Sequence, residues 1–194
     1  MDITGLILAG GRGSRMGHVD KGLQPFRGMP MVQHVLQRLQ PQVAHIIINA
    51  NRSPAEYAAL GYPVFADAMP DFAGPLAGLQ TGLMHCATPY LVTAPCDSPF
   101  LPTDLVARLL ASIQKQRADI AVAVTGGATQ RQAHPVFCLA NTSVLPHLNA
   151  YLQNGGRKFD GWYATLAVAE VHFDDEAAFR NINTLDELGR YEHD

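Results

Sequence analysis

The feature that most constrains this chain is the alternation of short apolar runs with amphipathic stretches. The runs have the length and β-branched composition of buried strands, and the stretches between them carry apolar residues at helical spacing. Strands that alternate with helices form a parallel sheet covered on both faces. The sequence therefore predicts a single α/β domain, a three-layer sandwich with a mostly parallel central sheet and helices on both faces.

The predicted elements follow one another closely, with no linker, repeat or low-complexity tract. The predicted strands are residues 3–9, 43–48, 64–66, 90–94, 120–124, 136–139 and 168–173. The predicted helices are residues 31–39, 55–60, 76–86, 103–116 (with Thr103 as the N-cap), 142–153 and 159–166. A last helix opens at Thr184, where Glu187 three residues on completes a capping-box pattern.

Composition excludes several classes of protein. A chain of 194 residues needs no disulfide or structural metal to build a core. A net charge of −3 argues against a general nucleic-acid binder. Three cysteines without CxxC spacing fit a reducing compartment, and no apolar stretch approaches the ~20 residues of a membrane span. We expect a cytoplasmic protein with no nucleic-acid or membrane partner.

Polar residues stand at the ends of four predicted strands: Gly10, Asn49, Asp67 and Asp97. In open parallel sheets, ligands bind outside the carboxyl ends of the strands. We therefore expect these four residues to meet in one crevice. Taken singly, Asn49 and Asp67 are also explained by turn chemistry.

A glycine-rich loop, Leu8 to Gly17 (LAGGRGSRMG), follows the first strand directly. Glycines let backbone N–H groups approach phosphate oxygens, and Arg12 and Arg15 add bidentate donors. Lys21 adds a point charge downstream. The loop lacks the Gly-Lys-Ser/Thr ending of a Walker A loop, and Met16 replaces the third glycine of GxGxxG.

Two further segments extend the pattern. PCDSP places Asp97 at a strand end, where one carboxylate together with substrate phosphates suits Mg²⁺. Cys96 beside it has no evident base partner and is interpreted as a small buried thiol. The stretch from Gly74 to Gly78 (GPLAG) opens a helix with Pro75 in its first turn, where the N-terminus favours anions.

LAGGRGSRMG followed by Asp20-Lys21-Gly22 resembles the signature of Rossmann-like nucleotidyltransferases. Together with INAN, Asp67, GPLAG, PCDSP, His134-Pro135 and the Asn181–Thr184 stretch, it resembles the molybdenum cofactor guanylyltransferases over about residues 3–190. The resemblance implies a GTP site; the nucleotide-binding residues we predict are Leu8, Ala9, Gly10, Gly11, Lys21, Asn49, Asp67, Gly74, Gly78 and Asp97.

The resemblance also implies a reaction. The terminal phosphate of a molybdopterin cofactor attacks the α-phosphorus of GTP, and pyrophosphate leaves. The predicted catalytic residues are Arg15, Lys21 and Asp97, with Asp97 as the Mg²⁺ ligand. A phosphate monoester has a second pKa of about 6, so no general base is needed.

The acceptor should bind in the second half of the chain, about residues 126–194, apart from the nucleotide-binding half, about residues 1–125. The candidate acceptor-binding residues are Arg131, His134, Arg157, Lys158, Asn181 and Asn183. A solvated basic face explains the four basic residues equally well, and turn chemistry explains the two asparagines. Transient contact with proteins that handle the cofactor is also expected.

Rival functions of three kinds remain open at this stage: a nucleotidyltransferase for other substrates, a non-catalytic GTP-binding module and an oxidoreductase. A cytidylyltransferase of the same pathway tends to carry LAAG and to lack GPLAG, and sugar-phosphate nucleotidylyltransferases are usually longer. A non-catalytic GTP-binding module would normally carry a Walker A loop and an Asn-Lys-x-Asp motif, which this chain lacks. The absence of a complete GxGxxG motif argues against a dinucleotide-dependent oxidoreductase.

Overall fold

The computed structural model describes residues 2–11, 20–69, 74–127 and 130–191. Strands and helices alternate through this part of the chain. The strands are β1 (Ile3–Leu8), β2 (Pro25–Phe26), β3 (Met29–Pro30), β4 (His45–Asn49), β5 (Val64–Phe65), β6 (Tyr90–Pro95), β7 (Ile120–Thr125), β8 (Gln132–Asn141) and β9 (Val168–His172). The helices are α1 (Met31–Leu39), α2 (Pro54–Ala58), α3 (Pro75–His85), α4 (Leu105–Gln116), α5 (Leu145–Gln153), α6 (Phe159–Tyr163) and α7 (Leu185–Tyr191).

Seven strands form one sheet in the order β5-β4-β1-β6-β8-β7-β9, which confirms the predicted fold class. All neighbours pair in parallel except β8, which runs antiparallel to both β6 and β7. The chain moves from β1 outward to β4 and β5 and then returns to place β6 on the other side of β1. The resulting switch point lies between β1 and β6, and ligands of open α/β sheets bind at such a point.

Helices cover both faces of the sheet, and the strands β1, β6 and β7 are therefore buried on both sides. In β1, Ile3 and Ile7 belong to the apolar cluster that includes residues of α1, α2 and α4, whereas Leu6 and Leu8 belong to the cluster that includes residues of α3, α5 and α6. The period of two along the strand sends successive side chains to opposite layers. Helix α1 buries one stripe, formed by Val32, Val35, Leu36 and Leu39, as its helical spacing predicts. The core therefore consists of two apolar layers separated by the sheet.

Element ends differ from the prediction where local hydrogen bonding decides them. Helix α4 begins at Leu105, and Asp104 rather than Thr103 occupies the N-cap position, without a side-chain cap bond. The hairpin of β2 and β3 was not predicted, because two-residue strands have no readable period. The capping box of α7 is confirmed: Glu187 accepts from the Thr184 amide, and Thr184 Oγ1 accepts from the Glu187 amide.

Strand β8 is longer than the predicted 136–139 because it contains a bulge. Its register against β7 shifts between the pairs Val122–Cys138 and Ala123–His134, which leaves three residues, 135–137, outside the ladder. Pro135 lies there, since proline cannot donate to a ladder and is tolerated at bulges. Pairing of β8 with β6 covers only Tyr90 to Val92, so the two strands separate toward the carboxyl end of β6.

The carbonyl oxygens freed by this bulge have other partners. The Tyr163 hydroxyl donates to the Pro135 carbonyl at 2.7 Å, and the Thr93 hydroxyl donates to the Val136 carbonyl. Buried backbone polar groups need such partners.

No helix within the described ranges combines the length and apolarity needed to cross a bilayer.

Candidate active site

A cavity of about 690 Å³ opens at the carboxyl edge of the sheet, over the switch point. It is bounded by the ends of β1, β4 and β6, by the segment after β5 and by the start of α3. The lining residues are Leu8, Ala9, Gly10, Gly11, Asp20, Lys21, Asn49, Asp67, Gly74, Pro75, Pro95, Cys96, Asp97, Val136, Asn181 and Asn183. The four predicted strand-end residues thus lie in one cavity.

On the β4–β5 side, two amides hold one carboxylate. Asn49 Nδ2 donates to Asp67 Oδ1 at 2.9 Å and to the Phe65 carbonyl at 3.2 Å. Asn51 Nδ2 donates to Asp67 Oδ2 at 2.8 Å, and Asn51 Oδ1 accepts from the Asp67 amide at 2.8 Å. Both carboxylate oxygens therefore have a fixed donor on the protein side, and Asp67 presents its remaining lone pairs to the cavity.

Gly78, predicted to bind the nucleotide, does not line this cavity. It lies in α3 behind Asn49, and a Cβ there would overlap Asn49 Oδ1 and stand 2.6 Å from Leu8 Cδ2. The glycine is therefore required for close packing of α3 against the end of β4. Gly10 is constrained in the same way, because a Cβ would lie 2.9 Å from Asn51 Nδ2. Gly74 differs from both: it lines the cavity and is the N-cap of α3 with φ 82°.

On the β6 side, a lysine joins two oxygen-bearing side chains. Lys21 Nζ donates to Asn183 Oδ1 at 2.7 Å and lies 3.5 Å from Asp97 Oδ2. The Lys21 and Asp97 side chains are only 20% and 12% exposed, so water screens their attraction poorly. Burial raises the pKa of the Asp97 carboxyl, and the Lys21 ammonium opposes that shift.

Hydrogen bonds between the segment after β9 and the end of β6 hold Asn183 at this site. The Ile182 amide donates to the Asp97 carbonyl at 2.9 Å, which ties the segment after β9 to the end of β6. Asn181 Oδ1 accepts from the Ser98 hydroxyl at 2.6 Å, and the Asn183 amide donates to Glu187 at 2.7 Å. The second half of the chain therefore completes a site that begins in the first half.

A buried tyrosine supports the segment that carries Lys21. Tyr57 is fully buried, and its hydroxyl donates to Asp20 Oδ1 at 2.5 Å. A Cβ at Gly22 would lie 2.5 Å from that hydroxyl, so glycine is needed for the approach. Burial raises the pKa of the Asp20 carboxyl, and burial also raises the pKa of the Cys96 thiol, which keeps the thiol neutral.

The donor set at Asp97 suits a hard divalent cation that shares its coordination with a substrate. Asp97 supplies a carboxylate and Asn183 an amide oxygen at one edge of the cavity. Within the described ranges, no three His, Cys, Asp or Glu side chains cluster as a closed metal site would require. Mg²⁺ needs only one or two protein carboxylates when phosphates and water complete its shell, so the residues fit Mg²⁺.

A second cavity of about 330 Å³ lies where β6 and β8 separate. It shares one wall with the first cavity, formed by Pro95, Val136, Asn181 and Asn183. Its other lining residues are Gln132, Ala133, His134, Pro135, Phe137, Glu176, Phe179 and Arg180. The β8 bulge supplies much of this lining, as bulges beside active sites often do.

His134 is built into this second cavity as a neutral ring. Its Nε2 lies 2.8 Å from the Thr125 hydroxyl, and its ring stacks on Phe179 with centroids 4.6 Å apart. Burial lowers the pKa of His134. Of the predicted acceptor residues, the structure thus brings His134, Asn181 and Asn183 to this second cavity.

The other three predicted acceptor residues lie outside both cavities. Arg131 forms a bidentate ion pair with Glu170 on the surface. Arg157 Nη1 donates to the Leu152 carbonyl at 2.9 Å, which satisfies the C-terminal end of α5. Lys158 is the N-cap residue of α6. None of the three lines either cavity.

Some predicted residues lie outside the described residues, and some contributors were not predicted. Arg12 and Arg15 fall in the first group. Asn51, Asp20 and Arg180 contribute to the site but were not predicted to do so. Asn51 had a signal, because it stands two residues after Asn49 in INANR. Asp20 and Arg180 had none beyond their adjacency to Lys21 and Asn181.

Comparisons with known proteins identify the class to which this fold and site belong. A family model described as a MobA-like NTP transferase domain matches residues 5–167. Two solved structures share the fold. One is molybdopterin-guanine dinucleotide biosynthesis protein A from Archaeoglobus fulgidus (TM-score 0.78, 24% identity, 98% of this chain and 97% of that one). The other is 4-diphosphocytidyl-2C-methyl-D-erythritol synthase from Anaerococcus prevotii (TM-score 0.78, 11% identity, 99% and 97%). The molecule is a Rossmann-like nucleotidyltransferase.

Sequence relatives narrow this class further. The chain is 62% identical over 192 residues to the molybdenum cofactor guanylyltransferase of Cupriavidus necator, covering 98% of this chain and 96% of that protein. It therefore belongs to the MobA-like NTP transferases and, within them, to the molybdenum cofactor guanylyltransferases. Enzymes of this type generally use a divalent metal ion.

Proposed function

We propose that this chain transfers GMP from GTP to the terminal phosphate of a molybdenum–molybdopterin cofactor, with release of pyrophosphate. The observation that carries the proposal is the shared wall between two cavities at the switch point, with Lys21, Asp97 and Asn183 lining the nucleotide side. The name of the 62% identical relative supports the substrate pair.

The proposal orders the substrates along the sheet. The nucleoside lies over β4 and β5, where Asn49 and Asp67 offer donors and acceptors. The phosphates lie over β1 and β6, near Gly10, Lys21 and Asp97. The acceptor enters through the second cavity beside β8. In-line displacement requires the attacking and leaving oxygens to lie on opposite sides of the α-phosphorus, and two cavities with a common wall suit that geometry.

The chemistry requires little beyond positioning and charge neutralisation. An oxygen of the acceptor's terminal phosphate forms a bond to the α-phosphorus of GTP, and the bond to the oxygen bridging the α- and β-phosphates breaks. That bridging oxygen leaves with pyrophosphate. Lys21 neutralises charge on the phosphates, and Asn183 holds its ammonium in place. No general base is needed, because a phosphate monoester with a second pKa of about 6 is already ionised at neutral pH. Arg15 remains a proposed contributor.

The proposed metal is Mg²⁺, held by Asp97. When bound, it supplies charge stabilisation to the phosphate oxygens. Asn183 Oδ1 lies in the same cavity as Asp97, and it accepts a hydrogen bond from Lys21 Nζ. The Lys21 ammonium forms an ion pair with the Asp97 carboxylate. We expect a bound triphosphate to attract the ammonium away from that carboxylate.

The proposal extends to location and partners. The three cysteines are free, as is usual in a reducing cytoplasm, which supports a cytoplasmic enzyme. Transient contact with proteins that deliver or receive the molybdopterin cofactor is part of the proposal.

The deciding experiment is a pyrophosphate-release assay with each of the four ribonucleoside triphosphates, with and without molybdenum–molybdopterin cofactor. We expect release with GTP only when the cofactor is present. Preference for CTP would move the chain to the cytidylyltransferases, and release with a sugar phosphate in place of the cofactor would indicate a sugar-phosphate nucleotidylyltransferase. Binding of GTP without any transfer would contradict the proposed enzyme activity.

A further inference from the structure

The side chain of Asn51 connects the two ends of the nucleotide cavity. Its Nδ2 donates to Asp67 Oδ2 at 2.8 Å and to the Gly10 carbonyl at 3.4 Å, and its Oδ1 accepts from the Asp67 amide at 2.8 Å. Asn51 does not itself line the cavity. It therefore acts on a ligand only through its neighbours.

The contacts of Asn51 and Asn49 fix the plane of the Asp67 carboxylate. Each oxygen accepts one amide N–H from the side of the protein, Oδ1 from Asn49 and Oδ2 from Asn51. An ionised carboxylate has about four lone-pair sites, so one on each oxygen remains for a ligand. The result is a fork of two parallel acceptors, set beside the end of β5 and facing the cavity.

Among nucleobases, guanine matches such a fork. Its Watson–Crick edge presents the N1–H and the 2-amino group side by side, both as donors. Adenine and cytosine present an unprotonated ring nitrogen at the corresponding position, and a carboxylate would repel that lone pair. Charge-assisted bidentate pairs are both strong and geometrically selective. Hypoxanthine keeps the N1–H and lacks the 2-amino group, so it engages only one arm of the fork.

We infer that Asn51 is a positioning residue that sets the selectivity for guanine, by holding the Asp67 carboxylate in the plane of the base. This inference rests on the proposed use of GTP. The bond to the Gly10 carbonyl adds a second consequence. It ties the fork to the loop that follows β1, so the base and the phosphates are held at a fixed separation.

The test compares GTP, ITP and ATP in four proteins: wild type, Asn51→Ala, Asn51→Asp and a control variant. Asn51→Asp keeps an acceptor for the Asp67 amide but loses the donor, and its charge repels the Asp67 carboxylate. Asn141→Ala is the matched control. Asn141 accepts from the Ser143 amide and so caps a 3₁₀ turn at the opposite edge of the sheet from the cavity. The readout is kcat/KM for pyrophosphate release with each nucleotide.

We expect wild type and Asn141→Ala to prefer GTP over ITP by roughly tenfold or more, as one good bidentate base contact provides. In Asn51→Ala the GTP/ITP ratio should fall to within about threefold of unity, through a higher KM for GTP at nearly constant kcat. Asn51→Asp should fall at least as far. Because the ratio is measured within each protein sample, a smaller folded fraction does not change it.

Two results would overturn the inference. One is an Asn51→Ala protein that loses activity equally with GTP and ITP, which would show a purely structural role. The other is a wild-type enzyme that uses GTP and ITP equally well. Failure of the proposed function looks different: wild type would then release no pyrophosphate with GTP and the cofactor, whatever residue stands at position 51.

Discussion

Replacement of Gly78 by alanine tests the packing behind the nucleotide site. The added methyl group would overlap Asn49 Oδ1 and stand 2.6 Å from Leu8 Cδ2 and 3.1 Å from Asn49 Cγ. Asn49 and Leu8 are 2% and 8% exposed, so neither side chain has free space into which it can move. Helix α3 must therefore shift away from the sheet, or the Asn49 amide must rotate out of its place.

The size of the effect follows from three contributions. Overpacking of a filled core costs about 1–3 kcal/mol. Displacement of Asn49 weakens its bonds to Asp67 and Phe65, at about 0.5–1.5 kcal/mol each. Alanine in place of glycine inside a helix returns up to ~1 kcal/mol. We expect a net loss of about 1–5 kcal/mol in the free energy of unfolding. We also expect roughly a tenfold weaker GTP affinity, because Asp67 loses one of its two amide donors.

Urea unfolding would measure the stability, and titration calorimetry would measure GTP binding. Gly189→Ala is the control: Gly189 also lies in a helix, and nothing stands within 4 Å of its added Cβ. It should be neutral or slightly stabilising, with GTP affinity unchanged. A Gly78→Ala protein that is as stable as the Gly189→Ala protein and binds GTP like wild type would refute the packing argument.

Three further predictions concern the reaction and the two halves of the chain. Asp97→Asn should retain much of the GTP affinity and lose most turnover, because the carboxylate is the proposed Mg²⁺ ligand; near wild-type pyrophosphate release at limiting Mg²⁺ would contradict this. Arg157→Ala combined with Lys158→Ala should lower stability by about 1 kcal/mol through the lost helix cap and leave KM for the molybdopterin cofactor unchanged; a raised KM would restore both residues to the acceptor site. His134 has a pKa below 6.5 because of burial, so the unfolded chain binds its proton first as the pH falls. The free energy of unfolding should therefore drop as the pH falls through about 6.5, the ordinary pKa of histidine, and His134→Gln should flatten that dependence; an identical pH profile in the variant would disprove the assignment.

The first half of the chain was open to prediction because each of its features is local. An apolar run that ends in Asn49 or Asp97 indicates a buried strand and a polar residue at its carboxyl end. In a parallel sheet these ends meet at one edge. The same reasoning places Gly10 beside them without any knowledge of distant contacts.

The second half resisted prediction because its contacts are distant in sequence. Arg131 and Arg157 are basic residues in an irregular region, and only the tertiary structure shows that Glu170 pairs with the first and the end of α5 with the second. The packing of Gly78 behind Asn49 could not be predicted for a related reason. A glycine pattern shows that space is needed, but not whether a ligand or a neighbouring side chain fills it.

The bulge in β8 has a consequence for how such an enzyme can change its acceptor. The three residues outside the ladder line the second cavity, where we propose that the acceptor binds, whereas β1, β4 and β5 pair with each other on the other side of β6. A change in the length or composition of residues 135–137 would reshape one wall of the acceptor cavity and leave the pairing of β1, β4 and β5 intact. If the two cavities hold the substrates as proposed, most of the acceptor site and most of the nucleotide site are formed by different parts of one sheet, with Val136 common to both. Selection can then alter the acceptor site with little change to the nucleotide site.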